Sequence, residues 1–130
     1  MEFHMKDVGF YTETPYGRLD VAGDEAYGFR PYQLLVASVA VCSGGVLRKV
    51  LEKMRMTIED IHIATDVERN KEEADRVEVI KVHFTIKGVN LDEKKIHKAM
   101  ELTRKNCSMV QSVIGKIDIV ETFEIASNGS

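Results

Sequence analysis

The chain has 130 residues, the size of one ordinary domain, and 44% of them are hydrophobic, enough to build a buried core. With 18 Lys and Arg against 21 Asp and Glu the formal charge is −3, so no basic field is available to hold nucleic acid. Two cysteines, Cys42 and Cys107, are too few for a disulfide framework and raise a separate question of function.

No linker or repeat divides the sequence, which reads as one domain over 1–126 with a polar tail at 127–130. Near the start, Val8 to Thr12 and Arg18 to Val21 read as strands joined by the turn Pro15-Tyr16-Gly17. From Pro31 onward Leu34, Leu35, Val36, Val39, Val46, Leu47, Val50 and Leu51 predict a long helix. Its first half is apolar on most sides, whereas Arg48, Lys49, Glu52 and Lys53 give the second half a wet face, so Cys42 is expected in the buried half. The apolar run Leu34 to Cys42 is broken by Ser38 and falls short of the ~20 residues that span a bilayer. The first residues, Met1 to Asp7, lack the basic and apolar regions of a secretory signal. Both features favour a cytoplasmic chain without a membrane partner.

Two period-two runs follow. Ile61, Ile63, Thr65 and Val67 alternate with His62, Ala64, Asp66 and Glu68, and Ile80, Val82, Phe84 and Ile86 alternate with Lys81, His83, Thr85 and Lys87. The charged stretch Glu68 to Arg76 between them suits a solvated hairpin loop. Asp92 is placed to cap a helix with Ile96, Ala99, Met100 and Leu102 inward, and a second helix is expected to begin near Asn106-Cys107-Ser108. A last strand carries Ile117, Ile119, Phe123 and Ile125 in alternation with Asp118, Val120, Thr122 and Glu124. The order β-β-α-β-β-α-α-β predicts an α+β fold, with antiparallel sheet packed on a long central helix and dimerisation covering the remainder.

A cysteine is commonly a small buried hydrophobe, but both of these have unusual neighbours. Cys42 precedes Ser43-Gly44-Gly45, and two helical glycines cost about 1 kcal/mol each relative to alanine, which suggests a close neighbour, a ligand or tight helix packing. Cys107 follows Arg104-Lys105-Asn106 at a helix start, where unpaired N–H groups and cations favour a thiolate. The four histidines are scattered without the paired Cys/His spacing of a metal site, and Gly44-Gly45 lacks the Lys-Ser/Thr of a phosphate loop. His97 and Glu101 read as a surface pair on one helix face.

The segment Arg30-Pro31-Tyr32-Gln33-Leu34-Leu35-Val36-Ala37-Ser38-Val39-Ala40-Val41-Cys42 resembles the cysteine-bearing helix of the OsmC/Ohr family, the osmotically inducible and organic hydroperoxide resistance proteins. Asn106-Cys107-Ser108-Met109-Val110, followed by the strand from Ile117, is similar to the family's second cysteine segment, and the likeness is greatest to the shorter OsmC-like members. The resemblance implies an OsmC-like fold in an intertwined homodimer, acting as a thiol peroxidase on organic hydroperoxides. Cys42 would be the peroxidatic thiol and Cys107 the resolving one. An external dithiol, lipoyl-type or small, would return the disulfide to thiols, with no metal or other cofactor. The family pairs its thiolate with an arginine held by a glutamate. Here Gln33 stands at the glutamate position, Arg18 fits the arginine register of the osmotically inducible branch, Arg30 is the other nearby arginine, and Glu25 is a candidate for the missing carboxylate. A non-enzymatic member that binds a small apolar ligand or senses redox state is the alternative, favoured by Gln33.

Overall fold

A computed structural model describes residues 1–126; the tail expected at 127–130 lies outside the described residues. The chain forms two compact units, Met1–Ala37 and Ser38–Ser130. In the first unit, strands β1 (His4–Met5), β2 (Phe10–Glu13) and β3 (Arg18–Val21) pair in that order, antiparallel throughout. The expected hairpin is present, with Thr14 and Gly17 exchanging backbone hydrogen bonds at 2.9 and 3.0 Å, and it gains a short outer strand.

Helix α1 (Pro31–Lys53) begins in the first unit and runs on into the second. Pro at its first position loses no hydrogen bond, because that N–H would be an orphan in any case. Gln33 Oε1 accepts the Arg30 N–H at 3.0 Å, as the third helical residue of a capping box does. The helix stops at Arg55, whose φ of 65° lets Arg55 N–H and Met56 N–H reach back to the carbonyls of Glu52 and Leu51. Length and composition alone would let α1 cross a membrane, but here it is a core helix: Val39, Leu47 and Leu51 are wholly buried.

The second unit holds a three-stranded sheet in the order β4 (Thr57–Asn70), β5 (Arg76–Val89), β6 (Asp118–Ile125). Its inner face is supplied by β5, where Ile80, Val82, Phe84 and Ile86 are buried while Lys81 and Lys87 face water. Gly44 of α1 lies against this sheet, since a Cβ there would meet Ile63 and Phe84. The β4–β5 hairpin is antiparallel as expected, but β6 runs parallel to β5, making the sheet mixed. Two parallel strands need a crossover, and α2 (Glu93–Asn106) with α3 (Ser108–Val113) provides it. Asp92 caps α2 by accepting the N–H groups of Lys94 and Lys95 at 3.0 and 3.3 Å. Ile96 and Ala99 are buried as expected, and Thr103 joins them.

Two glycines test this packing in opposite directions. Gly45 has open space where a Cβ would stand, so Gly45→Ala should stabilise the chain by about 1 kcal/mol through helix propensity. At Gly88 a Cβ would be driven into the Thr57 carbonyl of the neighbouring strand, so Gly88→Ala should cost about 1–3 kcal/mol. Urea unfolding midpoints of the two variants should therefore move to opposite sides of the wild type.

Candidate active site

The two cysteines meet in the second unit. Cys42 is on α1, partly exposed, and Cys107 is wholly buried at the junction of α2 and α3. Cys107 has extended backbone angles (φ −81°, ψ 110°), so the chain leaves one helix and enters the next at this single residue. The first N–H groups of α3 therefore lack helical partners. Val110 N–H points at the Cys107 sulfur at 3.5 Å, while Met109 N–H favours the thiolate at both cysteines, as the largest effect at Cys42 and a minor one at Cys107. The Ser108 hydroxyl stands 3.7 Å from the Cys42 sulfur, and the two thiols are near enough to influence each other's ionisation.

These contacts make the two thiols unequal. The Met109 N–H pulls the Cys42 pKa below the ordinary cysteine value against a smaller opposing effect of burial, and the Cys107 thiol and Ser108 add to the lowering. Burial pushes the Cys107 pKa up, only partly opposed by Val110 N–H, and the neighbouring Cys42 raises it further. The expectation of a thiolate at Cys107 is thus corrected: the helix start stabilises charge on the cysteine that faces it from α1. Arg104, expected beside Cys107, instead donates to the Ile119 carbonyl at 2.7 Å.

The remaining sequence candidates lie in the first unit. Arg18 on β3 donates to Asp20 through Nε and Nη2 at 3.2–3.3 Å, and its guanidinium lies 3.9 Å from the centre of the Tyr11 ring. Lys6 shares the same carboxylate at 2.8 Å, and Lys6 and then Arg18 lower the Asp20 pKa. Gln33 serves the start of α1, Glu25 sits in an exposed turn, and Arg30 lies over the Tyr32 ring at 4.9 Å. The same unit contains an apolar hollow of about 670 Å³, lined by Phe3, Phe10, Leu19, Val21, Pro31 and Leu34 among others.

Sequence reasoning passed over Glu121, Ser43 and Ser108. Glu121 shares the inward phase of Ile119 and Phe123 on β6, and a carboxylate in an apolar phase was the available signal. His97 packs edge-on to Phe123 with ring centres 4.9 Å apart; its expected partner on α2 was Glu101. Among the described residues no group of three or more His, Cys, Asp and Glu is placed to hold a metal ion.

The inequality of the thiols is open to direct measurement. Iodoacetamide labelling of the wild-type protein, read site by site by mass spectrometry across pH, should give Cys42 a midpoint below that of an ordinary cysteine and Cys107 a midpoint above it. The Cys42 thiolate is present above its midpoint and lost as pH falls through it, and coincident midpoints would contradict the geometry.

The chain is 23% identical to protein YhfA of Escherichia coli K12 over 107 residues, covering 82% of this chain and 78% of that one. A hypothetical protein of Aquifex aeolicus superposes with a TM-score of 0.85 at 24% identity, over 96% of this chain and 93% of that one. An OsmC-like protein of Mycoplasma pneumoniae gives 0.81 at 14%, over 98% and 99%. The organic hydroperoxide resistance protein OhrB of Bacillus subtilis gives 0.64 at 18%, over 95% and 98%. The profile of the family described as OsmC-like protein matches residues 22–122, more than half of the chain and inclusive of both cysteines, and this protein belongs to that family.

Proposed function

We propose that this OsmC-like protein is a cysteine-based peroxidase that reduces organic hydroperoxides. The observation that carries the reading is the closeness of two unequal thiols, Cys42 partly exposed beside Ser108 and favoured as thiolate, and its neighbour Cys107 buried and held as thiol. A peroxidatic thiol has to be ionised and reachable, while its resolving partner has only to reach the first sulfur. Likeness to OhrB, whose name states organic hydroperoxide resistance, is consistent with this chemistry.

In the first step the Cys42 thiolate attacks the distal oxygen of the hydroperoxide. The O–O bond breaks, the alkoxide leaves and takes a proton to become the alcohol, and Cys42 becomes a sulfenic acid. The Met109 N–H and the Ser108 hydroxyl stabilise charge on the sulfur before attack. Cys107 then loses its proton and attacks the sulfenic sulfur, expelling hydroxide that leaves as water and forming the Cys42–Cys107 disulfide. An external dithiol, lipoyl-type or small, supplies two electrons and two protons to restore both thiols. Residues 1–126 act as one functional domain in a homodimer, and a reducing cytoplasm keeps the resting thiols free. Arg18 is proposed to support the reaction once released from Asp20, with Gln33 and Glu25 in supporting places.

A second reading has its own observation: the apolar hollow of the first unit suits a small apolar molecule, and a protein that binds such a ligand needs no turnover. Single turnover separates the two. Reduced protein mixed with stoichiometric cumene hydroperoxide should lose both thiols and two mass units within seconds, faster than with hydrogen peroxide. Cys42→Ser should abolish the reaction, and Cys107→Ser should consume one equivalent and accumulate a trappable sulfenic acid. Undiminished turnover in Cys42→Ser would falsify the assignment, and an inert wild type would move the function to binding or sensing.

A further inference from the structure

The segments that carry the two cysteines are far apart in the chain, and one carboxylate touches both. Glu121 is on β6 with its side chain only 5% exposed. It accepts a hydrogen bond from the hydroxyl of Ser43, which is itself wholly buried and follows Cys42 directly on α1. The other oxygen, Oε1, has no hydrogen-bond partner and faces Arg104 Nη1 at 3.6 Å. Arg104 occupies the last turn of α2, which ends at the Cys107 cap, and its Nη1 is fixed by the Ile119 carbonyl two residues from Glu121.

A buried carboxylate is costly to desolvate, and a core of this kind would pack as well around an apolar residue at each position. What the polar set adds is direction: a serine, a carboxylate and a guanidinium meet in one relative placement, whereas apolar side chains tolerate several. We propose that Glu121 is a positioning residue for the thiol pair, holding the Cys42 turn of α1 through Ser43 and the end of α2 that delivers Cys107 through Arg104. The bridge sets how readily the two sulfurs join. The inference rests on reading Cys42 and Cys107 as a redox pair.

The test uses the dithiol–disulfide equilibrium of the full chain in glutathione buffers. There the two protein thiols give two electrons and two protons to glutathione disulfide, which becomes two glutathione thiols as the Cys42–Cys107 bond forms. Ser43→Ala and Glu121→Ala should each shift the equilibrium constant about tenfold toward the dithiol. Glu121→Gln keeps an acceptor for Ser43 and loses the charge facing Arg104, so its constant should fall between those of Glu121→Ala and the wild type. A purely structural contribution that stabilises the reduced and oxidised forms equally would lower the unfolding midpoint and leave this constant unmoved. Should Glu121→Ala fail to fold, Ser43→Ala carries the test, because it removes one hydroxyl and no charge. A folded Ser43→Ala with the wild-type constant overturns the proposal, as does a wild type in which the pair never forms. No hydroperoxide enters the measurement, so a chain that forms the disulfide with the expected shifts, yet ignores cumene hydroperoxide, upholds the bridge and refutes only the peroxidase reading.

Discussion

The site depends on a helix that is interrupted at one residue. Had α2 run straight into α3, the N–H groups of Val110 and Met109 would have been consumed by carbonyls four residues back, as those of a helix interior are. Because Cys107 adopts an extended conformation, those donors are released where two sulfurs can use them. Val110 N–H turns to the residue that caused the break, and Met109 N–H acts mainly on Cys42 of α1. The backbone angle at a single position thus frees the donors that lower the Cys42 pKa, and the burial of Cys107 completes the inequality.

The groups that lower the Cys42 pKa are neutral donors. Neutral donors stabilise a thiolate by hydrogen bonding and by the partial positive charge of the helix start. Two arginines of the second unit are engaged elsewhere: Arg104 is turned to β6, and Arg48 pairs with Glu52 along the outer face of α1. In the first unit Arg18 and Lys6 share the Asp20 carboxylate. The position of Gln33 also has a local explanation, since an amide oxygen closes the first turn of α1 as well as a carboxylate does.

Much of this was legible in the sequence wherever the signal was local. The alternation of Ile80 to Ile86, the Asp92 cap and the new helix after Cys107 each follow from a few adjacent residues, and each is found. Partners distant in the chain were not legible. Strand β6 alternates in the same way whether it runs parallel or antiparallel to β5, so its direction is settled by the crossover. Glu121 was passed over because a carboxylate in an apolar phase looks like a defect until Ser43 and Arg104 are seen around it. For the cysteines, adjacent cations suggested an acidic Cys107, but burial outweighed the local donors and tertiary contact gave the lower pKa to Cys42.

The parallel pairing of β5 with β6 has a consequence for a chain that is still folding. The register joins Val79 to Asp118, so residues 80–117, with Cys107 among them, form a loop that closes only when the last strand docks. The β4–β5 hairpin joins near neighbours and can form early, whereas closing the longer loop costs more entropy and comes at a slower pace. Until then Cys42 has no Met109 N–H beside it and is an ordinary thiol, mostly protonated at neutral pH. The inequality of the two thiols thus belongs to the tertiary fold and not to the local sequence around either cysteine.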